Sequence, residues 1–190
     1  MNPLFEAARE IQDFMSGKGW KFCIIGGMAV MRWGEPRTTQ DVDITLLTGF
    51  GHEEDFVQPL LAHFPARNPN ALKFALQKRV ALLKASNGKS VDISLGAFPF
   101  EEEMITRATP FEFAPGLHLV TCSAEDLIVL KAFAGRHKDL ADIESIAMRQ
   151  RKTLNKNYIL RTLRPLCELK EAPELIAMTR CILEGKKWRK

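Results

Sequence analysis

One phrase occurs twice in this chain, as Val42-Asp43-Ile44-Thr45-Leu46 and as Val91-Asp92-Ile93-Ser94-Leu95. Each run is apolar at every second position, the period of a strand with one face in a core. In the first run Val42, Ile44 and Leu46 share a face, and Asp41, Asp43 and Thr45 share the other. In the second, Val91, Ile93 and Leu95 oppose Ser90, Asp92 and Ser94. The chain is thereby committed to a sheet in which two core strands carry carboxylates on their polar face. Charge on a core strand is unfavourable unless it has a partner. Three carboxylates, Asp41, Asp43 and Asp92, gathered around a divalent cation would have one.

The rest of the pattern builds a mixed region up to about Val120 and a helical one after it. Helical spacing covers Pro3 to Met15, closed by Ser16-Gly17-Lys18-Gly19. Trp20 to Ile25 is a β-rich run that stops at Gly26-Gly27, and Met28 to Trp33 reads as a short helix. Glu53 to Phe64 reads as a helix ended by Pro65. Leu72 to Leu76, Arg79 to Ala85 and Ser90 to Gly96 read as strands, the last two joined by the hairpin signal Asn87-Gly88. Phe98 to Ala108 contains a short helix, and Phe111 to Phe113 and Leu117 to Val120 are short strands split by Pro115-Gly116. Ser123 then opens a helix with early acids that suit its dipole. Further helices are expected over Lys138 to Arg149, Asn157 to Leu163 and Pro173 to Leu183. The fold class is α+β, a mixed sheet flanked by helices and followed by a C-terminal helical bundle, with domains at 1–120 and 121–190.

At 190 residues, 46% hydrophobic and 26% charged, the chain can bury a sizeable core. No apolar stretch is long enough to span a membrane. The N-terminus lacks the basic-then-apolar order of a signal peptide. Cys23, Cys122, Cys167 and Cys181 are scattered without a CxxC pair, so reduced thiols and a cytoplasmic location are expected, and no zinc site. The net charge of +4 is uneven: residues 151–190 hold 11 Lys and Arg against 4 Asp and Glu, whereas residues 1–150 hold 16 against 19. A basic C-terminal segment, ending Gly185-Lys186-Lys187-Trp188-Arg189-Lys190, can grip a phosphate backbone or lie solvated.

Gly26-Gly27 between an apolar strand and a helix lets a ligand approach the backbone and leaves amides for phosphate oxygens. Asp41-x-Asp43 follows, then Asp92 on a later strand. In that order the residues resemble the nucleotidyltransferase superfamily that includes DNA polymerase β-like enzymes. The likeness narrows on Ile25-Gly26-Gly27-Met28-Ala29, on Arg37-Thr38-Thr39-Gln40-Asp41-Val42-Asp43, and on Ser123-Ala124-Glu125-Asp126-Leu127-Ile128 through Lys131 to Lys138-Asp139-Leu140-Ala141-Asp142. These segments are similar to the AbiEii-type nucleotidyltransferases, many of them toxins of bacterial toxin–antitoxin pairs, over roughly residues 20–147.

The resemblance implies a polymerase β-like fold and transfer of a nucleotide from an NTP, with Mg²⁺ or Mn²⁺, to an acceptor that is tRNA for several toxin members. An antitoxin protein would then be a partner. It implies metal binding by Asp41, Asp43 and Asp92, phosphate contact by Gly26 and Gly27, and functional roles for Lys131, which would neutralise triphosphate charge, and Asp139, which would orient it; Arg37, just before the Asp41-x-Asp43 strand, is a further candidate for the triphosphate. Gly27 stands where many superfamily members carry serine, which takes a hydroxyl away from the phosphate side. Lys131 itself sits in an almost wholly apolar stretch, where an ammonium needs a partner such as a phosphate or Asp139. Asp142 is compatible with exposure. Arg136, His137 and Lys138 read equally as an acceptor contact or a solvated link. Two other functions fit the same motifs: a small-molecule nucleotidyltransferase of the aminoglycoside-modifying kind, and a non-catalytic module that only binds.

Overall fold

The structure, a computed structural model, describes residues 2–186 and 188. Lys187, Arg189 and Lys190 of the basic C-terminal segment lie outside the described residues. The chain divides into two compact units. The first comprises the residues up to Met28 together with Thr38–Cys122. The second comprises Ala29–Arg37 and the chain from Ser123 onward.

The first unit is built on a six-stranded mixed sheet of order β3-β4-β2-β1-β6-β5. Its strands are β1 (Phe22–Ile24), β2 (Asp41–Leu47), β3 (Val80–Lys84), β4 (Ser90–Gly96), β5 (Thr109–Ala114) and β6 (Leu117–Thr121). The two strands with the repeated phrase are neighbours. β2 and β4 run parallel from Asp41↔Ser90 to Leu47↔Gly96, which sets Asp43 opposite Asp92. Their apolar residues explain the central placement: Val42, Ile44, Leu46, Val91 and Ile93 are fully buried, as strands covered by helices require. β1 lies antiparallel to β2 with Ile24 opposite Ile44, and parallel to β6. The β3–β4 hairpin turns at Asn87-Gly88, where Gly88 takes φ 81° and Ala85 N–H donates to Lys89 O at 2.9 Å.

Helices α1 (Pro3–Gly17), α3 (Glu53–His63), α4 (Ala71–Lys78) and α5 (Pro99–Thr106) complete this unit. Asn2 caps α1, its side-chain oxygen accepting from Leu4 N–H, and Leu4, Ala7, Ala8, Ile11 and Met15 form its buried stripe.

Three sequence expectations are corrected. Leu72 to Leu76 is helix, not strand: Leu72, Phe74 and Leu76 mimic a strand's alternation, yet the buried residue is Ala75 and Leu76 is exposed. The segment 71–78 is rich in strong helix formers, and that preference prevails. Helix α2 (Gly26–Trp33) begins at the glycine pair rather than after it. The helix expected to end at Leu163 runs on as α8 (Lys156–Leu169), through Pro165. Cys167, one turn beyond buried Leu163, extends the same packed face.

The second unit is helical after Ser123: α6 (Ala124–Ala134), α7 (His137–Arg149), α8 and α9 (Glu174–Leu183). Ser123 caps α6 by accepting from Asp126 N–H at 3.1 Å, and Gly135 ends it in the left-handed conformation at φ 68°. The early segment 29–37 belongs here through Glu35, whose N–H donates to Ser145 Oγ at 2.9 Å. Among the described residues no helix is long and apolar enough to cross a membrane.

Candidate active site

Parallel pairing of β2 with β4 brings the three carboxylates to one patch of the first unit. Asp43 and Asp92 stand on adjoining strands at matching register, and Asp41 lies two residues from Asp43 on the same face. Adjoining strands are about 4.8 Å apart, close enough for the Asp43 and Asp92 side chains to share one cation. Asp41 is exposed, while Asp43 and Asp92 are half-buried.

Gly26 is required by this patch. It has φ +63°, and a Cβ built on it would sit 1.9 Å from Asp43 Oδ2. The Asp43 carboxylate therefore lies against the bare backbone at the start of α2, the end of a helix that favours negative charge. The strand holds it there, with Ile25 N–H donating to Asp43 O at 2.9 Å. Gly27 has a different reason: a Cβ there would meet Thr39 Oγ1 at 2.4 Å and Thr39 Cβ at 2.6 Å. A threonine hydroxyl thus occupies the space beside Gly27. No pattern around Thr39 announces this.

Asp92 has a partner the sequence did not disclose. Arg67, from the loop between α3 and α4, ion-pairs with it, Nη2 donating to Asp92 Oδ1. The Asp92 carboxyl is nevertheless pushed above the ordinary aspartate range. Burial is the largest cause, and the charges of Asp43 and Asp41 add to it against the opposing pull of Arg67.

Hard carboxylate oxygens at adjoining positions are the donor set that Mg²⁺ or Mn²⁺ prefers, so the residues fit such a cation. Among the described residues, though, no three His, Cys, Asp or Glu side chains converge as a ready-made cage.

The remaining predicted site residues meet in the second unit, as a chain of alternating charge. Arg37 donates to Asp142 through Nε at 2.6 Å and Nη2 at 2.8 Å, a bidentate pair. Lys131 Nζ lies 2.6 Å from Asp142 Oδ2 and 3.4 Å from Asp139 Oδ1. Arg136 closes the chain on Asp139 through Nε at 2.6 Å and Nη2 at 3.2 Å. Lys131, Asp139 and Asp142 are all buried. The partner that the apolar setting of Lys131 demanded is thus a pair of carboxylates. Asp142, which the sequence left compatible with exposure, is at the centre of the chain. Burial pushes the Asp139 carboxyl up, but the Arg136 hydrogen bond and the Lys131 charge outweigh it and hold it below the ordinary range. Burial acts likewise on Asp142 and is outweighed by hydrogen bonds from Arg37 and Lys131.

The model of a family described as "Nucleotidyltransferase of unknown function (DUF6036)" matches residues 2–163. A comparison with curated proteins finds no match. Among solved structures, an antigenic nucleotidyltransferase-like protein from Paracoccidioides brasiliensis is similar at 16% identity and a TM-score of 0.52, over 93% of this chain and 92% of that one. A lincomycin-bound lincosamide antibiotic adenylyltransferase is similar at 14% identity and a TM-score of 0.49, over 74% of this chain and 94% of its own. At such identities the Paracoccidioides protein speaks for the fold, a mixed sheet of the nucleotidyltransferase kind with helices.

Proposed function

The chain belongs to this family of nucleotidyltransferases, and from that premise we propose that it is a cytoplasmic, Mg²⁺- or Mn²⁺-dependent enzyme that transfers NMP from an NTP to RNA, with tRNA as the acceptor class. The observation that carries the reading is the pairing of Asp43 with Asp92 on parallel strands, with Asp41 on the same face. Asp41, Asp43 and Asp92 would hold the cation, which when bound supplies charge neutralisation to the triphosphate.

The chain's own residues do the remainder. The backbone at Gly26 and Gly27, opening α2, binds phosphate oxygens at the anion-favouring end of the helix. Asp43, wedged against Gly26, is fixed in position by that contact. Asp92 completes the site, as a cation ligand or as the base that takes the proton from the attacking hydroxyl. That hydroxyl oxygen bonds to the α-phosphorus while the bond to pyrophosphate breaks. The chain Arg37–Asp142–Lys131–Asp139–Arg136 fixes the geometry of the helical unit and places Lys131 and Asp139 as positioning residues. The catalytic domain is the region before about residue 120, and the helical region after it serves the acceptor.

The RNA acceptor is supported by charge. Residues 151–190 are strongly basic, whereas a cavity of about 510 Å³ in the helical unit sets Arg151, Lys156 and Lys186 beside Glu144 and Glu184 and carries no such excess. The AbiEii likeness adds the role of toxin, with an antitoxin protein as partner.

The test incubates the protein with each α-labelled NTP, Mg²⁺, and in parallel total RNA, total protein and an aminoglycoside. Label on RNA that disappears with Asp43→Ala supports the reading. Label confined to the small molecule replaces the acceptor, and equal labelling by Asp43→Ala overturns the site. Growth arrest on induction, relieved by the same substitution, tests the toxin role.

A further inference from the structure

Arg67 is anchored by the sheet rather than by its own loop. Its N–H donates to Leu82 O at 2.9 Å, Lys84 N–H donates to Pro65 O at 2.9 Å, and Ala66 pairs with Leu83 as an isolated antiparallel bridge. The stretch 65–67 is therefore a strand stub laid outside β3. Leu82 in turn stands opposite Asp92, so Arg67, Leu82 and Asp92 occupy one row across three neighbouring chain segments. Two strand spacings are about 9.6 Å, a gap that an arginine and an aspartate side chain bridge between them. The guanidinium meets Asp92 Oδ1, on the same carboxylate that a cation shared with Asp43 would use.

This ion pair differs in kind from those of the helical unit. Its side chains are 25% and 34% exposed, whereas Lys131 and Asp142 are 7% and 3% exposed. A water-accessible pair is weak and exchangeable. A guanidinium and a divalent cation on the same carboxylate repel each other, so they compete.

We propose that Arg67 is a placeholder cation, which neutralises the third carboxylate of the nucleotide-free site, competes with the divalent cation for Asp92, and so sets the metal affinity. This rests on the assignment of Asp41, Asp43 and Asp92 as the metal site. On loading, Arg67 leaves Asp92 and its guanidinium is freed beside the site. By linkage, removing a competitor raises the apparent affinity by a factor set by how strongly that competitor was held.

The experiment titrates Mn²⁺ into nucleotide-free full-length protein and follows free Mn²⁺ by electron paramagnetic resonance, with circular dichroism confirming the fold of each variant. Arg67→Ala is expected to tighten Mn²⁺ binding roughly two- to fivefold, the range of an exposed ion pair, and Arg67→Lys to stay near the parent. Arg67→Gln keeps most of the side-chain length and answers the same question if the alanine variant does not fold. Unchanged or weaker binding in the folded Arg67→Ala or Arg67→Gln protein overturns the placeholder. Asp43→Asn separates the two readings. If it abolishes Mn²⁺ binding while Arg67 substitutions change nothing, the placeholder alone fails. If it leaves Mn²⁺ binding intact, the metal-site assignment fails and the placeholder with it.

Discussion

Asp92 in the sheet unit is half-buried and Asp142 in the helical unit is buried, and burial raises the proton affinity of each, yet they end on opposite sides of the ordinary aspartate range. Asp142 is gripped by Arg37 on two nitrogens and by Lys131 on a third. Asp92 meets Arg67 but also faces the charges of Asp43 and Asp41. One arrangement is closed upon itself and reads as architecture. The other gathers negative charge where a mobile cation can be accommodated. A carboxylate's environment, rather than its presence, separates a structural aspartate from a chemical one.

The comparison breaks most visibly if the wrong unit proves chemical. Asp43→Asn should lower nucleotidyl transfer by about a thousandfold or more, roughly 4 kcal/mol of transition-state stabilisation, with a thermal midpoint close to the parent's. A midpoint collapse in that variant would make the acidic patch architecture after all.

Lys131→Met should do the reverse. Removing the ammonium leaves Asp139 and Asp142 buried with fewer counter-charges, at about 3 kcal/mol of stability, read as a lower midpoint in denaturant. Equal stability with lost transfer would move Lys131 into the chemistry.

Gly27→Ser probes the packing of the phosphate side. The new Cβ overlaps Thr39, and overpacking of this kind is worth about 1–3 kcal/mol. The double variant Gly27→Ser with Thr39→Gly, which also removes the Thr39 Cβ, should recover both stability and transfer relative to Gly27→Ser alone, and failure to recover would mean Thr39 is not the obstacle.

The smallest effect is in pH. Asp139 and Asp142 have folded values below their unfolded ones, so the stability they contribute is present above the unfolded value near 4 and is lost as pH falls through the folded values. Asp92 has a raised folded value, so its contribution is present below the unfolded value and is lost as pH rises through the folded one. Acid unfolding followed by helical dichroism should therefore begin below about pH 4, and Asp142→Asn should flatten that slope.

Much of this was visible in the chain itself. The repeated phrase placed β2 and β4, because alternation with β-branched residues has few other solutions, and the glycine pair with Asp41-x-Asp43 pointed to residues that the fold sets side by side. Leu72 to Leu76 misled, because apolar residues at every second position outweighed the helix preferences of Ala71, Lys73, Ala75 and Gln77. Arg67 and Thr39 were invisible for another reason. Each acquires its neighbour only through long-range pairing, Arg67 by the stub beside β3 and Thr39 by the turn that returns to Gly27, and neither sits in a periodic pattern. Asp142 lay within the recognised segment, but its burial depends on Arg37, 105 residues earlier.

That separation has a consequence for how the protein is made. Residues 29–37 leave the ribosome long before Ser123 to Arg149, which supply the neighbours of Glu35 and Arg37. The nascent chain must keep a nine-residue stretch in waiting while the remaining strands of the sheet are synthesised after it. A fragment ending at Cys122 would carry that stretch with none of its helical-unit partners, and a fragment starting at Ser123 would lack it, so no single cut separates the two units cleanly.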